Sequence, residues 1–148
     1  MAYQLSRTRK IIETLELTDN NGKVIKTIDV HLDVGIIAKE YRDLCEKLGK
    51  AERQLKEAQK QNDTELFEKT LEVYGEAIIA LLRLIFGEEN AQVLLDYFEN
   101  NYFEMAIKLI PFIFDVISPK IIEGIKAEKQ QLLSQYNRKE RRKAKKWL

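Results

Sequence analysis

The chain reads as a mainly α protein, with an N-terminal β-hairpin packed on a bundle of four to five helices that includes a long antiparallel αα-hairpin. Three observations predict it. Two runs of alternating apolar residues flank an Asn-Gly pair near the N-terminus. From residue 37 the apolar spacing changes from two to three and four. Only two prolines and six glycines occur in 148 residues, which favours long uninterrupted helices. That length suits one domain with its own core. Its expected bounds are residues 1–137, followed by a basic tail at 138–148.

The hairpin comes first. Residues 11–17 read IIETLEL, residues 24–32 read VIKTIDVHL, and TDNNGK lies between them. Asn21-Gly22 is a strong turn signal because both residues tolerate positive φ. In the second run Val24, Ile28, Val30 and Leu32 share a face, with Lys26 as the exception. Ile11, Leu15 and Leu17 share one in the first. A two-stranded ribbon with one apolar side does not stand alone in water, so it must pack on the helices or on another chain.

The helices follow. Ile37, Tyr41, Leu44, Leu48, Ala51, Leu55 and Ala58 form a heptad-like seam, beginning near Asp33 or Val34-Gly35. QNDT at 61–64 ends it. Asn62 with Glu65 fits a capping box, and Asp63 is a second candidate cap. Phe67, Leu71, Tyr74, Ile78, Leu81 and Ile85 stripe the next helix, so the short connection predicts an αα-hairpin. Gly87 suits the left-handed position at its end. Glu88 to Glu99 reads as a shorter helix, and Asn100-Asn101 as a turn. Tyr102 to Ile117 is the most apolar stretch, which Pro111 must kink or split. Ser118-Pro119 has N-cap and N1 chemistry for a last helix. Its apolar positions are Ile122, Ile125, Leu132, Leu133 and Tyr136, with Lys129 interposed. Past Asn137 the pattern stops, and fraying is expected.

The inventory narrows function. The net charge is +1, but residues 138–148 hold seven Lys/Arg against one Glu, a side-chain charge of +6 that leaves −5 for the rest. An acidic body and a basic tail bear on partners. Cys45 is alone and His31 is alone. Neither a zinc site nor a Cys–His nucleophile pair can be assembled from them. His31 reads as an exposed strand residue and Cys45 as a small, partly buried apolar one. No phosphate loop, metalloprotease, esterase or EF-hand motif occurs. Glu88-Glu89 is explained by its place at a helix start. The expectation is a protein that is not an enzyme and takes no cofactor or metal. The N-terminus lacks an apolar signal core and no stretch is long enough to span a membrane, so a cytoplasmic location is expected.

Two regions are candidate binding elements. The aromatic-rich stretch through Tyr97, Phe98, Tyr102, Phe103, Phe112 and Phe114 is core by default, or a groove for a partner helix. Tyr102, Phe103, Ile107, Phe112 and Phe114 are the partner-binding candidates. The basic tail carries Arg138, Lys139, Arg141, Arg142, Lys143, Lys145 and Lys146. It could neutralise nucleic-acid phosphates, be a solvated terminus, pair with the acidic body of another copy, or extend a partner-binding helix. It has no aromatic but Trp147, so nucleic acid is the weaker reading.

The order of parts resembles the tail assembly chaperones of long-tailed bacteriophages of Gram-positive bacteria and their prophages. The resemblance rests on IIETLELTDNNGKVIKTIDVHLD, AKEYRDLCEKLGKAERQLKE, NYFEMAIKLIPFIFDVISPKIIEGI and the closing YNRKERRKAKK. It spans nearly the whole chain, through loose motifs rather than a fingerprint. It implies a non-enzymatic protein of the host cytoplasm that keeps the apolar tape measure protein soluble. It also implies recruitment of tail tube subunits and self-association. A longer frameshifted product is a further implication, compatible with Lys145-Lys146.

Overall fold

The structure is a computed structural model and describes residues 2–5 and 10–146. Strands β1 (Lys10–Thr18) and β2 (Val24–Asp33) pair antiparallel. Their turn differs from a two-residue Asn-Gly turn. Gly22, at φ 83°, is the one turn residue with positive φ. Asp19 N–H donates to the Lys23 carbonyl at 2.9 Å and Gly22 N–H to the Asp19 carbonyl at 3.1 Å. The result is a three-residue loop with glycine in its left-handed position. Asp19 selects it, because its carboxylate accepts from Asn21 N–H and Lys23 N–H at 2.9 and 3.0 Å. The register passes from Leu17–Lys26 to Thr18–Val24, so Ile25 is bulged out. Ile11, Leu17, Ile28, Val30 and Leu32 are buried as expected, whereas Val24, beyond the bulge, is exposed. The ribbon's inner face lies on the helices.

Helix α1 (Val34–Lys60) starts at Asp33, whose carboxylate accepts from Gly35 N–H at 3.2 Å. Its buried residues are Val34 and those of the seam, with Leu44 only half-buried. The connection to α2 (Thr64–Phe86) puts Asn62 at φ 54°. Asp63 rather than Asn62 is therefore the cap, accepting from Leu66 N–H at 3.2 Å. Helices α1 and α2 pack along each other as the expected hairpin. Tyr74, Ile78, Leu81 and Ile85 are buried, while Phe67 and Leu71, near the open end, are half-buried.

Gly87 ends α2 at φ 82°, ψ 164°, an extended conformation of positive φ rather than the left-handed helical one. It then starts α3 (Glu88–Tyr97), which stops two residues short of Glu99. Glu99 and Asn100 both take positive φ, and Asn100 N–H closes on the Leu95 carbonyl at 2.9 Å. Tyr97 hydroxyl donates to the Thr18 carbonyl at 2.6 Å and so ties α3 to the end of β1.

The chain from α4 (Tyr102–Lys108) through α5 (Ile110–Phe112) and a π-helical turn (Ile113–Ile117) to α6 (Ser118–Lys146) is one distorted helix. The linking residues Leu109, Phe112, Ile113 and Ser118 all keep right-handed helical dihedrals. Pro111 and Pro119 bracket the wide turn. Each lacks an N–H for the ladder, and the π-turn absorbs the mismatch. Two expectations change here. Ser118, at φ −54°, ψ −48°, lies inside the helix and does not cap it; its hydroxyl bonds Tyr41 of α1 instead. The packed face of α6 is also rotated from the expected stripe. Ile117 and Ile121 are buried. Gly124 lies so close to Val34 that an added Cβ would stand 2.8 Å from its Cγ2. Glu128, half-buried beside Gly35, is the last residue of α6 up to Lys143 that is not exposed. There its carboxylate faces the positive end of α1. Beyond it the helix continues to Lys146, whereas the sequence pattern predicts fraying past Asn137. Arg, Lys, Glu and Ala are strong helix formers, which accounts for the difference.

Candidate interaction surfaces

Folding divides the five partner-binding candidates. Tyr102 is half-buried on α2, where Gly75 makes room for its ring. Phe112 is half-buried against the core and stacks on Phe86 with centroids 6.4 Å apart. Both shape the body. Phe103, Ile107 and Phe114 stay exposed, Ile107 at 73%. Phe103 and Ile107 are four residues apart and share one face of α4. The Phe103 ring stacks on Phe67 at 6.3 Å, which fixes it while its outer surface stays wet. Phe67 also lines an open cleft of about 270 Å³ at the α1–α2 corner, with Ala58, Gln59, Asn62, Asp63 and Thr64. Beside Ile107, Lys108 donates to Glu104 at 2.9 Å, an exposed pair that edges the apolar patch.

A second apolar surface is the stripe whose sequence pattern predicts packing against the body. Ile122, Ile125, Leu132, Leu133 and Tyr136 are all exposed on α6. From Lys129 to Lys143 every residue is exposed. The helix from Lys129 to Lys146 therefore projects from the body by about 27 Å at 1.5 Å per residue. Sequence periodicity marks an amphipathic face but not what covers it. Arg138, Lys139, Arg141, Arg142 and Lys143 stand exposed on this projection. The side chains of Lys145 and Lys146, and Trp147, lie outside the described residues.

Elsewhere the interior is apolar. Apart from the tyrosines Tyr41 and Tyr74, no polar or charged side chain is buried among the described residues, and no three His, Cys, Asp or Glu side chains gather to hold a metal ion. Among them, too, no helix is long and apolar enough to cross a membrane. Lys120 of α6 pairs with Glu13 of β1 and pins the start of α6 to the hairpin.

Tyr41, Cys45 and Ser118 form the polar seam between α1 and α6. Burial pushes the Tyr41 hydroxyl up to about 12. Burial also raises the Cys45 thiol, and the Tyr74 hydroxyl is raised by burial and then by Glu52. Folding thus favours the neutral acids. Their contribution is complete below the unfolded values, near 9 for cysteine and 10 for tyrosine, and is lost as pH rises through the folded ones. We expect Tm to fall between pH 9 and 12, and Tyr41→Phe to flatten the fall above pH 10. An unchanged slope in that variant would contradict this origin.

With the fold and both apolar surfaces placed, the class they define is a helical protein with an N-terminal β-hairpin and two uncovered apolar faces. No family model, curated protein or solved structure matches the chain.

Proposed function

We propose that this chain is a non-enzymatic tail assembly chaperone of the long-tailed phage kind, acting in the host cytoplasm. In this reading it holds apolar helical segments of the tape measure protein, recruits tail tube subunits and associates with copies of itself. The observation that carries the reading is the exposure of Phe103 and Ile107 on α4 and of Phe114 in the π-helical turn, on a chain that already has a continuous core. Apolar groups kept in water beside a filled core mark a contact surface. A row of residues four apart on α4 suits a helix laid alongside. Tyr102 and Phe112 serve it from beneath, because they seat α4 and α5 on α2.

Co-expression with the tape measure protein of the same tail gene cluster tests the reading. Wild-type chain should keep that protein soluble and co-purify with it. Phe103→Ser with Ile107→Ser should reduce its recovery at least about tenfold, as loss of central apolar anchors does. Both side chains are on the surface, so far-UV circular dichroism and Tm of the variant should stay near wild type. Equal recovery with the double variant would contradict the reading.

The exposed cations Arg138 to Lys143 favour one alternative, an accessory protein that binds nucleic acid through its tail. It would show steep salt dependence that disappears on deleting residues 138–148.

A further inference from the structure

We propose that the projecting half of α6 is a surface anchor for an anionic lipid bilayer, lying along the headgroups with Leu132, Leu133 and Tyr136 turned into them. This surface is separate from Phe103 and Ile107 on α4, and the proposal does not rest on capture of a client.

The residues argue it in three steps. First, the helical repeat places Leu132, Leu133 and Tyr136 within an arc of about 100° on α6. All three are exposed, Leu132 at 70%. Ile122 and Ile125, also exposed, carry the same arc back towards the body. Ile121, Gly124 and Glu128, which face the body, are centred about a quarter-turn away. From Lys129 to Lys143 every residue is exposed, so the arc is clear of the body there. Second, the cations are sorted about that arc. Arg138, Arg141 and Arg142 fall on the far side of the helix. Lys129, Lys139 and Lys143 fall on or beside the arc, before and after the apolar group. A lysine buries its stem among apolar groups and lifts its ammonium to the headgroup level. Glu140 is the one acid from Lys129 to Lys143. It lies on the apolar side, three residues from Lys143, which can pair with it. An apolar arc backed by Lys and Arg marks a helix that lies in a membrane interface rather than across the membrane.

Third, charge and area choose the occupant. Residues 138–148 carry seven Lys/Arg against one Glu, a side-chain charge of +6 that complements anionic headgroups. The projection also keeps the rest of the chain, at −5, away from those headgroups. Duplex nucleic acid offers the same negative charge but would leave Leu132, Leu133 and Tyr136 in water. A standard protein interface buries about 800 Å² on each side, and three large apolar side chains on one helix are a small centre for it. A bilayer needs no more than they offer, because a few inserted side chains and a polybasic patch hold together where neither holds alone.

Co-sedimentation of the full chain with lipid vesicles tests this. We expect binding to vesicles of phosphatidylcholine and phosphatidylglycerol in equal parts, and little to phosphatidylcholine alone. Leu132→Gln with Leu133→Gln keeps the charge and the helix propensity, and should weaken binding at least about tenfold. Arg138→Gln with Arg141→Gln and Arg142→Gln should weaken it at least about tenfold as well. All five side chains are exposed, so circular dichroism of both variants should match wild type. Depth is read with Tyr136→Trp in a Trp147→Phe background. Its emission should shift to the blue on anionic vesicles and be quenched by bromine-labelled lipid. No binding to anionic vesicles, binding indifferent to the glutamines, or unquenched emission would each overturn the proposal. So would binding of duplex DNA in place of vesicles, or a change of oligomeric state rather than of vesicle binding in the Leu132 and Leu133 variant. Client capture is scored separately with the Phe103 and Ile107 variants, so the two readings fail independently.

Discussion

Leu81→Ala is expected to cost about 2–5 kcal/mol of folding stability, the usual range for a leucine cut back in a close-packed core. Leu81 sits on the inward face of α2 and is fully buried. Its neighbours Ile78, Leu82 and Ile85 come from the same helix and are themselves buried. That helix contacts α1, α3, α4 and β2, so it is the element on which the others rest. Collapse into the space of the lost side chain would mean moving several elements at once, which places the expected loss high in the range. Urea unfolding checks it: the midpoint should fall with the slope unchanged. A loss below about 1 kcal/mol would mean that the core around α2 is looser than described.

Gly75→Ala is the second large effect, and its sign discriminates. In an open helix position the change stabilises by roughly 1 kcal/mol through helix propensity. Here the added Cβ would stand 2.4 Å from Cε2 of Tyr102, with Cζ at 2.6 Å and Cδ2 at 2.7 Å. The ring must shift, and α4 with it. We expect a net loss of about 1–3 kcal/mol, as for other overpacked cores. Tyr102→Ala in the same chain should remove most of the penalty, a coupling that a double-mutant cycle measures. Because α4 carries Phe103 and Ile107, Gly75→Ala should also weaken the client capture proposed above without altering either side chain. Stabilisation by Gly75→Ala would contradict the close seating of Tyr102.

Much of this fold was legible in the residues, and the illegible parts share a cause. The α1 seam depends on residues near in sequence and was readable; the cap of α2 was only half so, since Asn62 with Glu65 offered the capping box and Asp63, the second candidate, takes the position. The choice of inward face on α6 was not. Ile121 and Ile122 are neighbours with equal apolarity, yet one is buried and the other exposed. What separates them is the π-turn before Ser118 and the missing Cβ at Gly124, which let α6 lean on Val34. Both act across the fold. The same holds for the candidate surface. Phe112 and Phe114 are two residues apart in one apolar run, but only Phe112 meets Phe86. Tyr102 turns inward because Gly75, twenty-seven positions earlier, has no side chain. The turn of the hairpin was half legible: Gly22 supplied the positive φ, while Asp19 decided the loop length.

The most direct measurement is a calorimetric titration of the full chain with an apolar helical segment of the tape measure protein, repeated over a range of temperatures. Burial of Phe103, Ile107 and Phe114 against that segment predicts binding with a clearly negative heat-capacity change, weakened at least about tenfold by Ile107→Ser. No binding, or binding that has no heat-capacity change and vanishes in salt, would contradict it.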